Sequence, residues 1–439
     1  MSQKKSQREI LAKLGIEELN KMQKQAGKVI SSSKDIVLLS PTGTGKTLAF
    51  LLPVIEALDP DYNQVQVLIL VPSRELAVQI EQVTREMGSG YKVNAIYGGR
   101  SGFKDKLDLI QPPTILIGTP GRIADHFRKN SFITRGIKTL ILDEFDKSLE
   151  VGFEKEMKEI VEALPSLEKR ILTSATQKVS IPGFVGLKNP ENLNYLNIKK
   201  DQLEAKLQLK IIVSSGSKLA TLAGLLSHVG KGTGIVFCNL KDSIQTVSDY
   251  LYDAGIDHGC FYGGLEQVDR ERALIKFRNG THKILLATDL AARGIDVPEM
   301  DFIIHFEMPF KQDEFIHRNG RTARMNSEGT AYILKEKQQR LPDFIKGVAE
   351  ENLEKGKPMT SSKWATLYVT GGRKDKISKG DVAGLFFKQG GLKKDELGII
   401  ELKQDCVFVA VPQAKANQLI DSLNNSRLKK RKVRISLLK

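Results

Sequence analysis

A glycine-rich stretch near the N-terminus contains residues suited to binding phosphate groups. It reads Ser40-Pro-Thr-Gly-Thr-Gly-Lys-Thr47 and joins an apolar run to a helix-prone run. At such a junction, backbone N–H groups of a helix N-terminus point at phosphate oxygens. Glycines allow a close approach of the backbone, the lysine can reach the outer phosphates, and the last hydroxyl can bind Mg²⁺. We expect the nucleotide ligands of this stretch to be Thr42, Gly43, Thr44, Gly45, Lys46 and Thr47.

Two acidic residues, Asp143 and Glu144, follow another apolar run. Asp143 can hold Mg²⁺ through water, and Glu144 can polarise an attacking water as a general base. Strand ends often carry solvated acids, so the pair alone would be weak evidence. Together with the phosphate-binding stretch, it predicts Mg²⁺-assisted hydrolysis of a nucleoside triphosphate.

Short β-rich runs alternate with helical stretches over most of the chain. In the first 200 residues these runs are 35–40, 65–71, 94–99, 114–119, 139–144 and 170–176. After a polar stretch at 197–206, the series restarts with 207–213, 234–239, 259–264, 283–289, 301–307 and 329–335. Continuous apolar runs in βαβ spacing predict parallel sheets with helices on both faces. The chain is therefore expected to contain two tandem α/β domains.

The last fifth of the chain follows a different pattern. A charged, helix-prone connector at 335–363 precedes strand-like runs at 367–370, 397–402, 406–411 and 432–438. Helical stretches at 378–387 and 412–424 lie between them. The order β-α-β-β-α-β predicts a small α+β domain of the RNA-recognition type.

The composition excludes several classes of protein. The 439 residues are 41% hydrophobic and 27% charged, which is ordinary for a globular chain of several domains. No apolar run approaches the ~20 residues that span a bilayer, and the N-terminus lacks an apolar signal region. Three distant cysteines and six histidines argue against a disulfide framework or a structural zinc site. These features predict a cytoplasmic protein that does not bind a membrane. We expect it to be a monomer, although none of these features specifies an oligomeric state.

Positive charge is concentrated at the C-terminal end. The net charge is +15, and residues 361–439 contribute +10 of it from 17 Lys and Arg against 7 Asp and Glu. This asymmetry predicts a polyanion-binding module in the last fifth of the chain. A solvated basic tail would be the alternative.

The sequence resembles the DEAD-box RNA helicases throughout both α/β domains. The matching stretches of the first domain are Gly15–Gln23, Ser40–Thr47, Val71–Leu76, Gly98–Gly99, Thr119–Arg122, Leu140–Asp146 and Ser174–Thr176. Those of the second domain are Val236–Asn239, Gln267–Arg270, Ala287–Asp296 and His317–Arg324. The resemblance implies two tandem RecA-like P-loop domains with parallel sheets, ATP and Mg²⁺ as cofactors, and RNA as partner.

The resemblance also implies a role for each matched residue. The catalytic residues would be Lys46, Asp143, Glu144 and the arginine fingers Arg321 and Arg324. Outside the glycine-rich stretch, the nucleotide would contact Gln23, Gly294 and Asp296. Gln23 would read the adenine edge. Coupling of hydrolysis to RNA would use Asp146, Ser174, Thr176 and His317. RNA would contact Pro72, Arg74, Gly99, Thr119, Gly121, Arg122, Asn239 and Thr288. Arg74 could instead pair with a nearby acidic residue.

Several positions depart from the family pattern. Ser40 replaces the first glycine of the phosphate-binding loop, a departure seen in helicases, and Leu19 replaces a proline. Phe145 replaces the alanine of the tetrapeptide that names the family, and its bulk could disturb the coupling residues. No aromatic residue precedes Phe50, so the upstream aromatic that stacks on adenine is missing.

The last 76 residues resemble the RNA-recognition-like domain of the bacterial DEAD-box protein A family. The matching stretches are Trp364, Leu367–Gly384, Leu397–Ile400 and Val409–Val411. In that family the domain docks a hairpin of large-subunit ribosomal RNA and delivers the helicase core to nearby duplexes. Since the strand 406–411 lacks paired aromatics, we expect Tyr368 and Trp364 to serve packing. RNA contacts are expected from the basic residues Arg373, Lys374, Lys376, Lys379, Lys429, Lys430, Arg431, Lys432 and Arg434.

These features predict domains at 1–203, 204–340 and 363–439, with a connector at 341–362. The predicted function is an RNA-stimulated ATPase that unwinds short duplexes of 23S ribosomal RNA during ribosome assembly. ATP would close a hinge between the two α/β domains onto one RNA strand, and hydrolysis would reopen it. A general DEAD-box helicase in RNA decay or cold adaptation is one alternative. An ATP-gated RNA clamp or annealing chaperone is the other.

Overall fold

A computed structural model describes residues 5–41, 43–99, 102–176, 180–196, 207–214, 216–289, 300–322, 328–353 and 362–438. These residues form two compact units, one before residue 197 and the other after residue 206. The domain boundary predicted at 203 and 204 lies outside the described residues.

The first unit contains a seven-stranded parallel sheet. Its strands are β1 (Asp35–Leu39), β2 (Val67–Leu70), β3 (Val93–Ile96), β4 (Ile115–Gly118), β5 (Thr139–Leu142), β6 (Lys169–Ser174) and β7 (Glu191–Asn194). They lie in the order β3-β4-β2-β5-β6-β1-β7. This order places β5, β6 and β1 side by side, so the loops that follow these strands meet at one edge of the sheet.

Helices cover both faces of this sheet, which is why β2 and β4 consist of apolar residues and glycine and the other inner strands have apolar centres. The helices are α1 (Gln7–Leu14), α2 (Lys21–Ser32), α3 (Lys46–Glu56), α4 (Arg74–Met87), α5 (Gly102–Ile110), α6 (Pro120–Arg128), α7 (Phe145–Glu150) and α8 (Glu154–Glu162). Two apolar clusters lie on opposite faces, one around Ile36 and Phe50 and the other around Leu68 and Phe145.

The second unit begins with another seven-stranded parallel sheet. Its strands are β8 (Leu207–Ser214), β9 (Gly234–Phe237), β10 (His258–Phe261), β11 (Ile284–Ala287), β12 (Phe302–His305), β13 (Gly329–Glu336) and β14 (Glu350–Glu351). Their order is β10-β11-β9-β12-β13-β8-β14, which repeats the topology of the first sheet. The described helices are α9 (Lys218–Val229), α10 (Lys241–Asp253), α11 (Gln267–Arg278) and α12 (Gln312–Asn319). The two sheets confirm the tandem RecA-like architecture.

The same unit ends in a small α+β module with a four-stranded antiparallel sheet. Its main elements are β15 (Trp364–Thr370), α13 (Lys379–Lys388), β16 (Ile400–Leu402), β17 (Cys406–Pro412) and α14 (Ala416–Leu423). A hairpin of β18 (Arg427–Leu428) and β19 (Arg431–Lys432) precedes the last strand, β20 (Ile435–Leu437). The sheet order β16-β17-β15-β20 confirms the predicted β-α-β-β-α-β fold.

The expected helical character of the connector is wrong for the residues that the structure describes. Within 335–353 and 362–363 the chain ends β13, forms the short strand β14 and contains no helix. Its apolar residues Leu341, Phe344, Ile345 and Val348 pack instead against a cluster on the second sheet. This packing, and the pairing of β14 with β8, override the helix propensity of the charged sequence.

Candidate nucleotide and RNA sites

The predicted phosphate-binding loop joins β1 to α3. Gly43 and Gly45 have φ angles of 75° and 85°, a left-handed conformation that side chains with a Cβ seldom adopt. The Ser40 hydroxyl donates to Thr44 Oγ1 at 2.9 Å, and Thr44 donates to the Pro41 carbonyl oxygen at 2.9 Å. The serine that replaces the first glycine therefore fastens the loop through a side-chain hydrogen bond.

Lys46 is the first residue of α3 and is buried, with 8% of its surface exposed. Its Nζ donates to the carbonyl oxygens of Ser40 at 2.5 Å and Pro41 at 3.0 Å. Burial lowers the pKa of the ammonium group, whereas the nearby carboxylates of Asp143, Glu144 and Asp146 act in the opposite direction. The ammonium is thus held inside the loop, where it can bind phosphate oxygens.

Gln23 connects the helix before the sheet to the same loop. Its backbone N–H donates to Asn20 Oδ1 at 2.9 Å, and its Oε1 accepts from the Asn20 backbone N–H at 3.0 Å. The Gln23 amide Nε2 donates to the Gly45 carbonyl oxygen at 3.2 Å, and Asn20 Nδ2 donates to the Thr44 carbonyl oxygen at 3.1 Å. In this arrangement Gln23 contacts the phosphate loop. Its role at the adenine edge stays a prediction. Asn20 was not predicted, although it starts α2 three residues before Gln23, the spacing of a helix cap.

Asp143 and Glu144 follow β5 at the edge where β1 also ends. Asp143 is buried and accepts a hydrogen bond from the Thr173 hydroxyl. Burial raises the pKa of Asp143, and the Thr173 hydrogen bond and the Lys46 charge oppose that rise. Glu144 has a φ angle of 49° and its backbone N–H donates to Thr173 Oγ1 at 3.2 Å. Thr173 was not predicted; it lies one residue before the matched stretch and orients both acidic residues.

Phe145 does not disturb the residues next to it. Its ring is 2% exposed and packs in the apolar cluster beneath the sheet. Asp146 accepts a hydrogen bond from Thr176 Oγ1 at 3.0 Å, and Ser174 Oγ accepts from the Thr176 backbone N–H at 2.9 Å. The predicted coupling residues of β6 and α7 are therefore in contact despite the larger aromatic residue.

The donor atoms at this edge fit Mg²⁺. Thr47 offers a hydroxyl and Asp143 a carboxylate, the oxygen ligands that Mg²⁺ prefers. A cation beside Asp143 would also offset the cost of burying that carboxylate. In the described part of the chain, no group of three or more His, Cys, Asp or Glu side chains could hold a metal ion. The site therefore suits a cation that completes its shell with phosphate oxygens and water.

Arg122, a predicted RNA ligand, is anchored by acidic residues. Its Nη2 lies 2.7 Å and its Nε 2.8 Å from Asp105 Oδ2, and its Nη1 lies 3.3 Å from Asp125 Oδ2. Asp105 is fully buried and also contacts His126 Nε2 at 3.2 Å. Arg122 is the third residue of α6, whose cap is Thr119. Sequence reasoning missed Asp105 because it lies outside the matched stretches, on α5.

Arg74 and Gly99, two further predicted RNA ligands, lie against each other. Gly99 has a φ angle of 81°, and a Cβ built there would lie 2.5 Å from Arg74 Nη1. The absence of a side chain at Gly99 thus leaves room for the Arg74 guanidinium group. Pro72 precedes Ser73, whose hydroxyl caps α4 by accepting from the Leu76 backbone N–H at 3.2 Å.

Gly99→Ala should therefore weaken the response to RNA. The added methyl group strains a left-handed backbone by about 1–2 kcal/mol and displaces the Arg74 guanidinium. We expect the RNA concentration for half-maximal ATPase stimulation to rise about tenfold, as a loss of about 1.4 kcal/mol implies. The matched control is Gly98→Ala, where the new Cβ would lie 3.5 Å from Arg74 in ordinary contact. Equal responses of the two variants would contradict the assigned role of this pair.

A buried polar network holds the corresponding edge of the second sheet. Arg318 is 1% exposed and its Nε donates to Asp289 Oδ1 at 2.7 Å. Arg318 Nη2 donates to Asn239 Oδ1 at 2.7 Å, and the Asn239 backbone N–H donates to Glu307 Oε2 at 2.7 Å. The predicted RNA ligand Asn239 is therefore fixed by Arg318, which sequence reasoning quoted within its motif but gave no role. Thr288 precedes Asp289 and is partly buried.

Arg321 and His317 lie close to this network in the sequence. Arg321 is 6% exposed, and its backbone N–H donates to the Arg318 carbonyl oxygen at 3.1 Å. His317 lies in the last turn of α12. The predicted residues Thr42, Gly294, Asp296 and Arg324 lie outside the described residues. Their assignment stays a prediction.

Two basic segments of the C-terminal module form one surface. Arg431 Nη1 lies 2.6 Å from Asp375 Oδ1, which joins the loop before α13 to the β18–β19 hairpin. Lys429 Nζ lies 2.9 Å from Asp381 Oδ1, which joins the first turn of α13 to the tip of the hairpin. Hydrogen bonds from Ser378 and Lys429 lower the pKa of Asp381 to about 2. We call this surface the basic rim; its cationic residues are Arg373, Lys374, Lys376, Lys379, Lys429, Lys430, Arg431 and Lys432.

Comparison with known proteins decides the family. Family models match the DEAD/DEAH box helicase domain over residues 20–182, the helicase conserved C-terminal domain over 217–326 and the DbpA RNA binding domain over 366–437. The chain is 32% identical to the ATP-dependent RNA helicase DbpA of Escherichia coli strain K12, over 98% of this chain and 96% of that protein. The chain belongs to the DbpA family of DEAD-box RNA helicases.

Other members and relatives agree with this membership. The DbpA helicase of Bacillus subtilis strain 168 is 29% identical over 96% of this chain and 95% of its own length. The solved structure of S. cerevisiae Dbp5 bound to RNA and ADP BeF3 is 26% identical, with a TM-score of 0.65 over 76% of this chain and 88% of that one. As a DbpA-family enzyme, the chain is an ATP-dependent RNA helicase that binds ATP and RNA. Among the described residues, no helix has the length and apolar character needed to cross a membrane.

Proposed function

We propose that this helicase is directed to large-subunit (23S) ribosomal RNA and opens short duplexes locally during ribosome assembly. The observation that carries the proposal is the C-terminal module, which matches the DbpA RNA binding domain over residues 366–437 and gathers two basic segments into the basic rim. Cationic side chains on one surface bind phosphates and position an RNA, whatever its sequence.

ATP hydrolysis is assigned to the edge formed by β1, β5 and β6. Lys46 would bind the outer phosphates, Thr47 and Asp143 would hold Mg²⁺, and Glu144 would accept a proton from the attacking water. Mg²⁺, when bound, neutralises negative charge on the phosphate oxygens. Arg321 and Arg324 keep their predicted role as arginine fingers. Asp146, Ser174 and Thr176 would transmit the state of this edge to the RNA contacts.

No observation favours either alternative function. A clamp with impaired hydrolysis would follow if the bulk of Phe145 disturbed the coupling residues, but that ring is accommodated in the apolar cluster. A role in general RNA decay or cold adaptation would not require the C-terminal module. We therefore retain ribosomal RNA as the substrate class.

The decisive experiment compares two RNAs of equal length. ATPase stimulation by large-subunit ribosomal RNA should exceed stimulation by an unrelated RNA at the same concentration. Equal stimulation by both RNAs would overturn the proposed target and leave the helicase activity intact. The comparison should be made at one stated salt concentration, because phosphate contacts are strongly salt-dependent.

The basic rim should account for this preference. In the double variant Lys374→Glu, Lys430→Glu we expect the preference for ribosomal RNA to fall at least tenfold. The dependence of log affinity on log salt concentration should also become shallower by about 2, because each lost phosphate contact removes about 0.9 from the slope. Titrations of ATPase activity and of RNA binding at several salt concentrations measure both effects.

The control for the rim variant changes the same amount of charge elsewhere in the module. Lys388, at the end of α13, and Lys394 are exposed and lie outside the basic rim. The double variant Lys388→Glu, Lys394→Glu should keep the preference for ribosomal RNA. A loss of preference in this control, or no loss in the rim variant, would contradict the assignment.

A further inference from the structure

The sheet of the C-terminal module is buried on both faces. Alternate residues of β15 and β17, among them Leu367, Val369 and Val407, pack against the module's own helices. The residues between them point to the opposite face of the sheet, as the two-residue period of a strand requires. These are Thr366, Tyr368, Cys406, Phe408 and Ala410. Thr366 and Phe408 are only 1% and 6% exposed, so another part of the chain covers this face.

The covering element is the C-terminal half of α11, from the second α/β domain. Ile275 of α11 forms an apolar cluster with Cys406, Phe408 and Leu438, and Tyr368 packs against that cluster. Phe408 and Tyr368 also contact each other, with ring centroids 5.7 Å apart. The apolar centre of this contact thus joins one helix of the α/β domain to β15, β17 and the residue after β20 on the outer face of the module.

Polar contacts surround the apolar centre. Arg278, at the end of α11, forms a two-pronged pair with Glu401 of β16, with Nε and Nη2 at 2.7 Å and 2.9 Å from its two carboxylate oxygens. The two side chains are only 23% and 11% exposed. A planar guanidinium that meets a carboxylate in this way fixes orientation as well as distance. The pair therefore determines the rotation of the module on α11.

The turn that follows α11 completes the contact. Asn279 Nδ2 lies 3.2 Å and Thr281 Oγ1 lies 2.7 Å from Thr366 Oγ1 on β15. The hydroxyl of Ser362, at the start of the module, donates to the Gly280 carbonyl oxygen at 2.5 Å. On the other side, Lys403 Nζ lies 2.6 Å from Glu271 Oε1 of α11. An apolar centre ringed by oriented polar pairs is the usual anatomy of a specific interface.

We propose that this contact docks the C-terminal module on α11 as a rigid extension of the second α/β domain. The docking then sets how far a duplex can lie from a bound RNA hairpin and still be engaged by the helicase domains. Helix α11 begins with Gln267–Arg270, one of the stretches that match the helicase family, and ends in the docking contact. Twelve residues of helix span about 18 Å, so one short rigid element joins the two regions. The distance role rests on the proposed function; the docking itself does not.

Cys406 provides a direct measure of the docking. Its side chain lies in the covered face, and burial raises the pKa of its thiol to about 12, which suppresses its reactivity near neutral pH. A Cys260→Ser background removes the partly exposed thiol and leaves Cys238, which is buried in the core of the second sheet. Labelling of Cys406 by a thiol reagent then reports opening of the contact, and labelling of Cys238 reports unfolding of the domain.

Charge variants test the docking without RNA. We expect Arg278→Glu to raise the labelling rate of Cys406 at least tenfold, because two carboxylates would then face each other at the contact. The charge swap Arg278→Glu, Glu401→Arg should restore the parent rate within about threefold, on the grounds that it regenerates the opposite-charge pair. The control Lys241→Glu, an equal charge change at an exposed site on α10, should label at the parent rate.

Several outcomes would overturn the docking. Labelling of Cys406 in the parent chain as fast as in the denatured chain would show that the face is open. An unchanged rate in Arg278→Glu, with Cys238 still protected, would show that the ion pair does not hold the module. If Cys238 also became reactive in Arg278→Glu, that variant would be unfolded and the charge-swap variant would decide. Protection of both thiols in the charge-swap variant would support the docking, and labelling of Cys406 alone in it would overturn the docking.

The distance role has its own test. Substrates in which a ribosomal RNA hairpin and a duplex are joined by single-stranded linkers of increasing length should show a sharp optimum for unwinding by the parent chain. Arg278→Glu should flatten this dependence, and the charge swap should restore it. Identical linker profiles would overturn the distance role. A protected Cys406 in a chain that does not prefer ribosomal RNA would instead contradict the proposed function and support the docking.

Discussion

Glu144→Gln is expected to lower RNA-stimulated ATP hydrolysis by a factor of about 10²–10⁴, the usual contribution of a positioned general base. Glutamine keeps the size of the side chain and cannot accept a proton from water. The substitution should leave the fold intact, because the backbone N–H of residue 144 still donates to Thr173 Oγ1. Nucleotide binding should change little, since the phosphates are assigned to the loop around Lys46. Phosphate release at saturating ATP and RNA measures the effect.

The control for this variant is Glu154→Gln, which makes the same chemical change on an exposed residue of α8. It should hydrolyse ATP at the parent rate. Turnover by Glu144→Gln at the parent rate would contradict the assignment of the general base. A loss of ATP affinity equal to the loss of rate would also contradict it, since it would place Glu144 in nucleotide binding.

Phe145→Ala is expected to destabilise the first domain by about 3–5 kcal/mol, the usual cost of removing a buried aromatic side chain. The substitution restores the alanine that is typical of the family at this position. However, the ring is 2% exposed and fills space among Leu68, Leu142 and Met157. Removing it leaves a cavity that the surrounding strands and helices cannot fill. Denaturant unfolding measures the change in the free energy of unfolding.

Two further variants separate packing from coupling at this position. Phe145→Leu retains most of the volume and should cost less than about 1.5 kcal/mol. Phe103→Ala removes a ring that is 69% exposed and should change stability by less than about 0.5 kcal/mol. A stable Phe145→Ala protein with faster RNA-stimulated hydrolysis would contradict the packing role and would show that the ring hinders coupling.

The strands could be predicted from the sequence because most of them are buried on both faces. The runs 35–40 and 139–144 have continuously apolar centres, at 36–39 and 140–142, and the structure places β1 and β5 within these runs. The edge strands β7 and β14 escaped prediction because they are short and polar, with burial on few residues. A strand of two glutamates, Glu350–Glu351, has no local signal and exists only through its pairing with β8.

Some residues of the candidate sites could likewise be predicted from the sequence, and others could not. The phosphate loop and the acids after β5 form local patterns, so the sequence reveals them. Asp105, which anchors Arg122, lies on a helix of its own and reaches its partner only in the folded domain. The contact of α11 with the C-terminal sheet joins residues more than 100 positions apart, such as Arg278 and Glu401, and has no periodic signature. Such pairs depend on tertiary packing that no short window of sequence encodes.

Because the two seven-stranded sheets share one strand order, residues at corresponding positions of the two α/β domains can be compared. Lys218 opens α9 after the first strand of the second sheet, as Lys46 opens α3 after the first strand of the first. Its Nζ lies 5.2 Å above the ring of Phe306, the residue that follows β12 as Asp143 follows β5. A phenyl ring cannot ligate a divalent cation. The residue of the second domain that corresponds to Asp143 thus cannot hold Mg²⁺, and we expect ATP hydrolysis to take place in the first domain alone.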